Sequence, residues 1–329
     1  MKGSSESSFV EYKAIIEKRS AAALTIIDDI RNELSESRLN EIQSGIDAIL
    51  AKANDFSKIV DFVDKQEKEN VLSWVSVMDM DTVHITHRDK AEAPDRHNPG
   101  GWILGHTEYL KWECADESAS LWLSSGVGTG KTILTSTVID AHRKDSSGPV
   151  AYFYCSGAPG SDASAMTAEN ILKCLLRQFA TCSERAFSLV AKKWEESESC
   201  GLRALTRLEV LKLLDDIIED EQILQATLII DGLDELSPDT LRILLDSLAT
   251  LLGQGCGILK VFASSRWKQR IEERFGYGSR INDIASETQS DMRLYIESAV
   301  NAEARGRHLL ENSLVDDIKR ALVEKANGM

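Results

Sequence analysis

Apolar and polar positions follow two different rhythms along this chain. From Phe9 to about Val77, where Gly45 is the single glycine and proline is absent, apolar residues recur at helical spacing. Ile27, Ile30 and Leu34 form one group; Ile42, Ile46, Ile49 and Leu50 a second; Ile59, Phe62 and Val63 a third. Steps of three and four residues place such side chains on one face of a helix. Three or four amphipathic helices are predicted, with breaks at Ser35–Ser37 and Asn54-Asp55, where Ser or Asp can cap. The stripe suits a helical hairpin or small bundle. It equally suits a signalling module that docks partner helices or associates with itself.

Beyond residue 120 the rhythm changes. Short apolar runs at Leu121-Trp122-Leu123, Val150–Tyr154, Thr227–Asp231 and Ile258–Ala263 read as buried strands. They alternate with helical patterns at Ile133–Ile139, Glu169–Ala180, Arg185–Glu195, Leu208–Asp220 and Pro238–Leu252. That alternation predicts an α/β fold: a parallel sheet with helices on both faces, preceded by a small helical region. Turn-formers at Ser146–Pro149 and a loop holding Gly157, Pro159 and Gly160 flank the second strand. Pro94, Pro99, Gly100 and Gly101 sit among charges and mark a linker. Behind them Trp102-Ile103-Leu104, Tyr109-Leu110 and Trp112 form an aromatic lead-in whose rings pack on the coming sheet, or one of which borders a base pocket. The divisions expected are a helical region 1–88, a linker and lead-in 89–120, an α/β core 121–285 and a helical extension 286–329.

Between the first strand and its helix lies Gly126-Val127-Gly128-Thr129-Gly130-Lys131-Thr132, followed by Ile133. A strand, a glycine-rich turn ending in Gly-Lys-Thr and a helix form the context of a P-loop. Glycines let successive N–H groups curl around phosphate oxygens, and the helix N-terminus adds its positive dipole end. Residues 126–133 are therefore the expected nucleotide cradle. Lys131 would reach the β- and γ-phosphates, and the Thr132 hydroxyl would ligate Mg²⁺. Ser125 stands where the pattern usually has its first glycine. A left-handed backbone there would cost a non-glycine residue roughly 1–2 kcal/mol. Micromolar binding is worth about 8 kcal/mol, so the substitution weakens the site but need not abolish it.

The run Thr227–Ile230 ends in Asp231, and Gly232-Leu233-Asp234-Glu235 follow. A carboxylate at the C-terminal tip of a buried parallel strand lies where ligands of open α/β sheets gather. Asp231 would share Mg²⁺ with Thr132 through water. Asp234 or Glu235 would orient or deprotonate the attacking water, with Asp234 slightly preferred. The strand at Ile258–Ala263 ends in Ser264-Ser265-Arg266, and Arg266 would place a guanidinium on the γ-phosphate or else form a surface ion pair. Catalytic candidates are thus Asp234, Glu235 and Arg266, and metal candidates Thr132 and Asp231.

Composition trims the alternatives. A formal charge of −15 and no basic stripe argue against a nucleic-acid partner. Six cysteines show no Cys-x-x-Cys pair, which suits thiols in a reducing compartment. The N-terminus lacks the apolar core of a signal peptide, and no stretch approaches the ~20 apolar residues of a membrane span, so a cytoplasmic location is expected. A guanine-reading Asn-Lys-x-Asp motif is absent, and no basic lid of a small-molecule kinase is evident.

The three motifs in this order resemble a STAND-class P-loop ATPase of the NACHT type, especially the fungal NOD-like signalling proteins. Gly126–Thr132 matches its Walker A motif. Leu228–Asp231 with Gly232-Leu233-Asp234-Glu235 matches its extended Walker B, in which a small residue follows the first aspartate. Ser264-Ser265-Arg266 is similar to its sensor-1 strand end. Leu72-Ser73-Trp74, Gly101-Trp102-Ile103-Leu104 and Trp112 resemble the segment described in fungal members as a nephrocystin-like N-terminal domain. The resemblance implies ATP or ADP with Mg²⁺ as ligands. It also implies a slowly hydrolysing switch used in fungal self/non-self recognition or immunity; a nucleotide-stabilised interaction module without turnover is the alternative. Leu322–Met329 is similar to a segment that relatives continue into a further helix and a winged-helix region, so a truncated chain is expected.

Overall fold

The computed structural model describes residues 3–30, 36–91, 99–144, 148–155, 166–199, 201–220, 223–253, 257–275, 278–282, 284–307 and 312–326. The chain parts into two compact units, Met1–Asn70 and Val71–Met329.

The first unit consists of α1 (Gly3–Ile30) and the greater part of α2 (Glu36–Val75). Leu34 and Ser35 lie outside the described residues, but α2 runs unbroken through Asn54-Asp55. The break expected there does not form. A capping residue ends a helix only when the chain has a reason to turn away, and strong helix formers on both sides carry α2 through. Among the described side chains from 13 to 70, none is buried.

In the second unit, the end of α2 is followed by α3 (Met80–Ala91), a 3₁₀ turn at Gly101–Gly105 and α4 (Thr107–Glu113). Then come β1 (Ala119–Ser124), α5 (Lys131–Lys144), β2 (Val150–Tyr154), α6 (Ala168–Cys182), α7 (Glu184–Glu198) and α8 (Arg207–Ile218). β3 (Ala226–Asp231), α9 (Pro238–Gly253), β4 (Leu259–Ser265), α10 (Gln269–Phe275) and β5 (Ser279–Asn282) complete the α/β part; α11 (Ala285–Arg307) and α12 (Asn312–Ala326) follow. The loop carrying Gly157, Pro159 and Gly160 lies outside the described residues.

All five strands are parallel, in the order β2-β3-β4-β1-β5. The connection from β1 runs to the far edge at β2, whereas every later connection steps back the other way. Right-handed crossovers in opposite directions place α5 on one face and α6 to α10 on the other. The fold is thus the α/β sandwich expected, a P-loop NTPase sheet with helices on both faces. The reversal beside β1 creates a crevice at the strand tips, where such sheets bind ligands.

Strands covered on both faces need apolar residues at every position. In β3, Leu228, Ile229 and Ile230 are all fully buried, as are Val261, Phe262 and Ala263 in β4. Each large side chain buried this way contributes about 1.5–3 kcal/mol. The aromatic lead-in packs as expected: Trp112 is buried edge-on against Phe262 and its Nε1 donates to the Ala119 carbonyl at 3.1 Å. Pro99 and Gly100 do not form a solvated linker. The Pro99 carbonyl accepts from Thr137 Oγ1 at 3.1 Å, and Gly100 N donates to Asp291 at 2.6 Å. Lys260 is fully buried in β4, where its ammonium donates to the carbonyls of Ala115 and Glu117. Replacing it by Met should leave both carbonyls unpaired and lower stability by about 2–4 kcal/mol, measurable by urea titration.

Candidate functional site

β1 ends at Ser124, and the chain turns through Ser125–Gly130 before α5 starts at Lys131. Gly128 and Gly130 adopt φ of 73° and 83°, the left-handed region that other residues enter at a cost. A Cβ at Gly128 would find open space and one at Gly130 would meet Thr288 at 3.4 Å, so conformation rather than crowding calls for glycine at Gly128. Ser125 is not strained: among the described residues the one non-glycine with positive φ is Leu202. The cost that a left-handed Ser125 would carry does not arise. Its N–H instead donates to the Ser265 carbonyl at 3.3 Å, tying the loop to the tip of β4.

The loop is closed by its own side chains. Thr129 Oγ1 donates to the Gly126 carbonyl at 3.1 Å, while Lys131 Nζ donates to the carbonyls of Ser125, at 3.0 Å, and Gly126. Partial burial lowers the Lys131 pKa, an effect opposed by the nearby carboxylates of Asp234 and Asp231. Val127 points outward at 65 % exposure. The N–H groups of Lys131, Thr132 and Ile133 begin α5 and have no acceptor within the helix, as at any helix start.

Asp231 lies across the cleft. It is buried, and Thr132 Oγ1 donates to its Oδ2 at 2.8 Å. Its Oδ1 accepts from Thr135 Oγ1 at 2.9 Å and from Ser264 Oγ. The motifs at the ends of β1 and β3 therefore meet in space, joined by the hydroxyl that would face a metal. Gly232 follows with φ 77° and donates its N–H to the Ser264 carbonyl at 3.1 Å, turning the chain sharply away from the strand.

That turn separates the two acidic residues. Both Asp234 oxygens are engaged with Arg266: Oδ1 accepts from its backbone N–H at 2.8 Å and Oδ2 from Nε at 2.7 Å. The Asp234 side chain is only 5 % exposed, whereas that of Arg266 is 55 % exposed. Asp234 thus fixes where the guanidinium sits. Glu235 lies on the solvent side of the turn, and partial burial together with Asp234 and Asp231 raises its pKa. A carboxyl whose proton affinity is raised, beside a phosphate cradle, has the chemistry of a general base.

Beside the cradle opens a cavity of about 170 Å³, walled by Pro99, Gly130, Ile133, Thr288, Met292 and Tyr295. Its lining is largely apolar, which suits the stacking of a planar base. None of the lead-in rings borders it; the ring present, Tyr295, comes from α11. A larger cleft of about 700 Å³ lies at the opposite end of β2, among Asp79, Asp81, Arg143, Tyr152 and Arg177. Its charges serve one another, with Arg143 on Asp81 at 3.0 Å and Tyr152 Oη also bonded to Asp81. Among the described residues no group of three His, Cys, Asp or Glu side chains could hold a metal. The donors that fit a hard divalent ion are Thr132 Oγ1 and Asp231, which would leave most of its ligands to phosphate and water, as Mg²⁺ prefers.

Sequence reasoning missed Thr135 and the α11 wall, and it named Ser264 in a strand-end motif without its bond to Asp231. Thr135 stands one turn beyond Thr132 on the same face of α5. Thr288, Met292 and Tyr295 follow a three–four spacing that could have marked a shared face.

A family model described as nephrocystin 3, N-terminal, matches residues 98–266, just over half of the 329 residues. The chain belongs to this family. The nephrocystin-type match spans the lead-in, the P-loop, Asp231 and Arg266. The vegetative incompatibility protein HET-E-1 of Podospora anserina is 25% identical over 208 residues, covering 63% of this chain and 15% of that protein. The present chain therefore spans a small part of this relative's length. Among solved structures, the Walker-type ATPase of Pyrococcus abyssi is similar with TM-score 0.40 and 14% identity, covering 69% of this chain and 65% of that one. AMPPCP-bound DnaA from Aquifex aeolicus is similar with TM-score 0.31 and 15% identity, covering 68% and 59%. The family match, the parallel sheet and the loop that meets Asp231 at the strand tips describe a P-loop NTPase. Among the described residues, no helix is long and apolar enough to cross a membrane.

Proposed function

We propose that this protein is an ATP-binding signalling switch of the STAND/NACHT type that hydrolyses ATP slowly with Mg²⁺, in fungal self/non-self recognition or immunity. The observation carrying this reading is the 2.8 Å bond from Thr132 to Asp231 across the cleft at the sheet's switch point. The N–H groups of residues 126–133 cradle the phosphates, and Lys131 exchanges its loop carbonyls for phosphate oxygens. Thr132 and Asp231 would hold the metal, which would supply charge neutralisation to the phosphates. The adenine stacks in the slot between Ile133 and Tyr295. Arg266, aimed by Asp234, faces the γ-phosphate, and Glu235 takes the proton of the attacking water. ATP and ADP differ at the γ-phosphate, so the loop–Arg266 side of the cleft can bind them differently, which is what a switch requires. The reading involves no nucleic acid and a cytoplasmic location, with protein contacts through the N-terminal helices.

Two substitutions separate the acidic roles. Glu235→Gln should keep Mg-ATP affinity and lower single-turnover hydrolysis by about 10²–10⁴-fold, the usual worth of a general base. Because the folded state raises the Glu235 pKa, its ionisation opposes folding as pH rises through the unfolded value. The neutral variant should therefore melt no lower than the parent at pH 7. The parent's hydrolysis should fall as pH drops through that raised pKa, and this acidic limb should vanish in the variant. Asp234→Asn should instead weaken discrimination between ATP and ADP, because it frees Arg266. If Asp234→Asn abolished turnover with discrimination intact while Glu235→Gln did not, the two roles would be reversed.

A second reading is favoured by the exposed apolar residues of the first unit: a nucleotide-stabilised interaction module without turnover. Phosphate release above background that disappears in Asp231→Ala would reject it.

A further inference from the structure

We propose that Asp291 is a positioning residue that latches α11 over the base slot, so that a bound nucleotide tightens the hold on the α11–α12 hairpin. The slot is the base site read above, and the nucleotide half of the proposal rests on that reading. Asp291 Oδ2 accepts from the Gly100 N–H at 2.6 Å, a bond between residues 191 apart in the chain. Only glycine suits position 100: its φ is 80°, and a Cβ there would meet Leu134 Cδ2 at 2.8 Å. Gly100 therefore lies directly on α5, where the neighbouring Pro99 carbonyl accepts from Thr137 Oγ1. The lead-in is thus fixed to the P-loop helix on one side and to α11 on the other.

Little else ties α11 to the sheet. Among the described residues it packs on α12 more than on any other helix or strand. Thr288 comes near Gly130, but its hydroxyl turns back to the Ile284 carbonyl at 2.6 Å. Among the described residues lining the slot, Asp291 is the one carboxylate. A carboxylate accepting a backbone N–H makes a stronger bond than a neutral pair does. Pro99, Ile133 and Leu134 wall the slot from the side of α5, and Met292 and Tyr295 from α11. A base between them touches both walls at once, whereas phosphates held at residues 126–133 gain nothing from Met292 or Tyr295. Binding of the base therefore favours the docked helix, and the docked helix favours the base by the same factor.

The test uses the full chain. Without nucleotide, hydrogen exchange of the amides in Thr288–Tyr295 should run at least about fivefold faster in Asp291→Ala than in the parent, with β3 unchanged. Alanine is the best helix former, so α11 itself is not weakened. Apparent affinity for Mg-ADP should fall at least about tenfold, as it does when the docked fraction falls tenfold. Mg-tripolyphosphate, which has no base, should bind both proteins alike. Asp291→Asn keeps an acceptor oxygen for Gly100 and should return to within about threefold of the parent in exchange and in Mg-ADP affinity. In the parent, Mg-ADP should slow exchange across Thr288–Tyr295, and Mg-tripolyphosphate should not. Equal exchange of α11 in parent and Asp291→Ala, equal loss of the two ligands, or equal protection by them would each overturn the proposal. A parent that bound neither ligand would instead bring down the nucleotide reading, and the exchange comparison without nucleotide would still decide the latch.

Discussion

Lys131→Ala should bind Mg-ATP at least a hundredfold more weakly than the parent. The ammonium sits over the loop, bonded to the carbonyls of Ser125 and Gly126, within the ring of donors that would surround the phosphates. A charge-assisted bond to phosphate contributes about 1.5–3 kcal/mol, and an ammonium reaching two phosphates makes more than one. A loss of about 3 kcal/mol is on the order of a hundredfold in affinity. Calorimetric titration measures it directly, and the rise in melting temperature that saturating ATP gives the parent should disappear. Undiminished affinity would show that phosphate is not held at residues 126–133.

Replacing Asp231 should separate the metal from the fold. Its buried carboxylate accepts from Thr132, Thr135 and Ser264, which belong to two different elements. Asp231→Asn keeps an oxygen for part of this set but loses the charge that attracts a divalent ion. Its ATP affinity should become insensitive to EDTA, whereas the parent's should fall on chelation. Asp231→Ala takes the acceptor from the Thr132 and Ser264 hydroxyls, while Thr135 keeps the Lys131 carbonyl at 2.9 Å, at about 1–3 kcal/mol for each left unsatisfied. A total near 3 kcal/mol should lower the melting temperature by about 6–12 °C in a unit of this size. Continued Mg²⁺ dependence in Asp231→Asn would place the ion elsewhere.

Much of the α/β unit was legible because its signals are local. Apolar runs such as Leu228–Ile230 can be satisfied only between two covered faces, and Gly128 and Gly130 can enter left-handed backbone cheaply. Asn54-Asp55 misled for the converse reason: capping chemistry permits a helix to end but does not compel it. Ser125 misled through a motif, since only the backbone angle decides whether glycine is needed there. Asp234 and Glu235, adjacent and alike in type, could not be told apart before the turn at Gly232 sent one to Arg266 and left the other on the solvent side.

What the order of residues determined by itself was the set of elements and the chemical groups at their ends: a cradle before α5, a carboxylate after β3, an arginine after β4. Period, turn chemistry and burial of short apolar runs act over a few residues, so they can be read along the chain. The tertiary structure alone decided which groups meet. Strand order set Ser264 and Thr132 on the same carboxylate, brought α11 from far along the chain to wall the base pocket, and assigned Arg266 to Asp234. Those contacts arise from packing between elements separated by tens to hundreds of residues, which no local rule along the chain encodes.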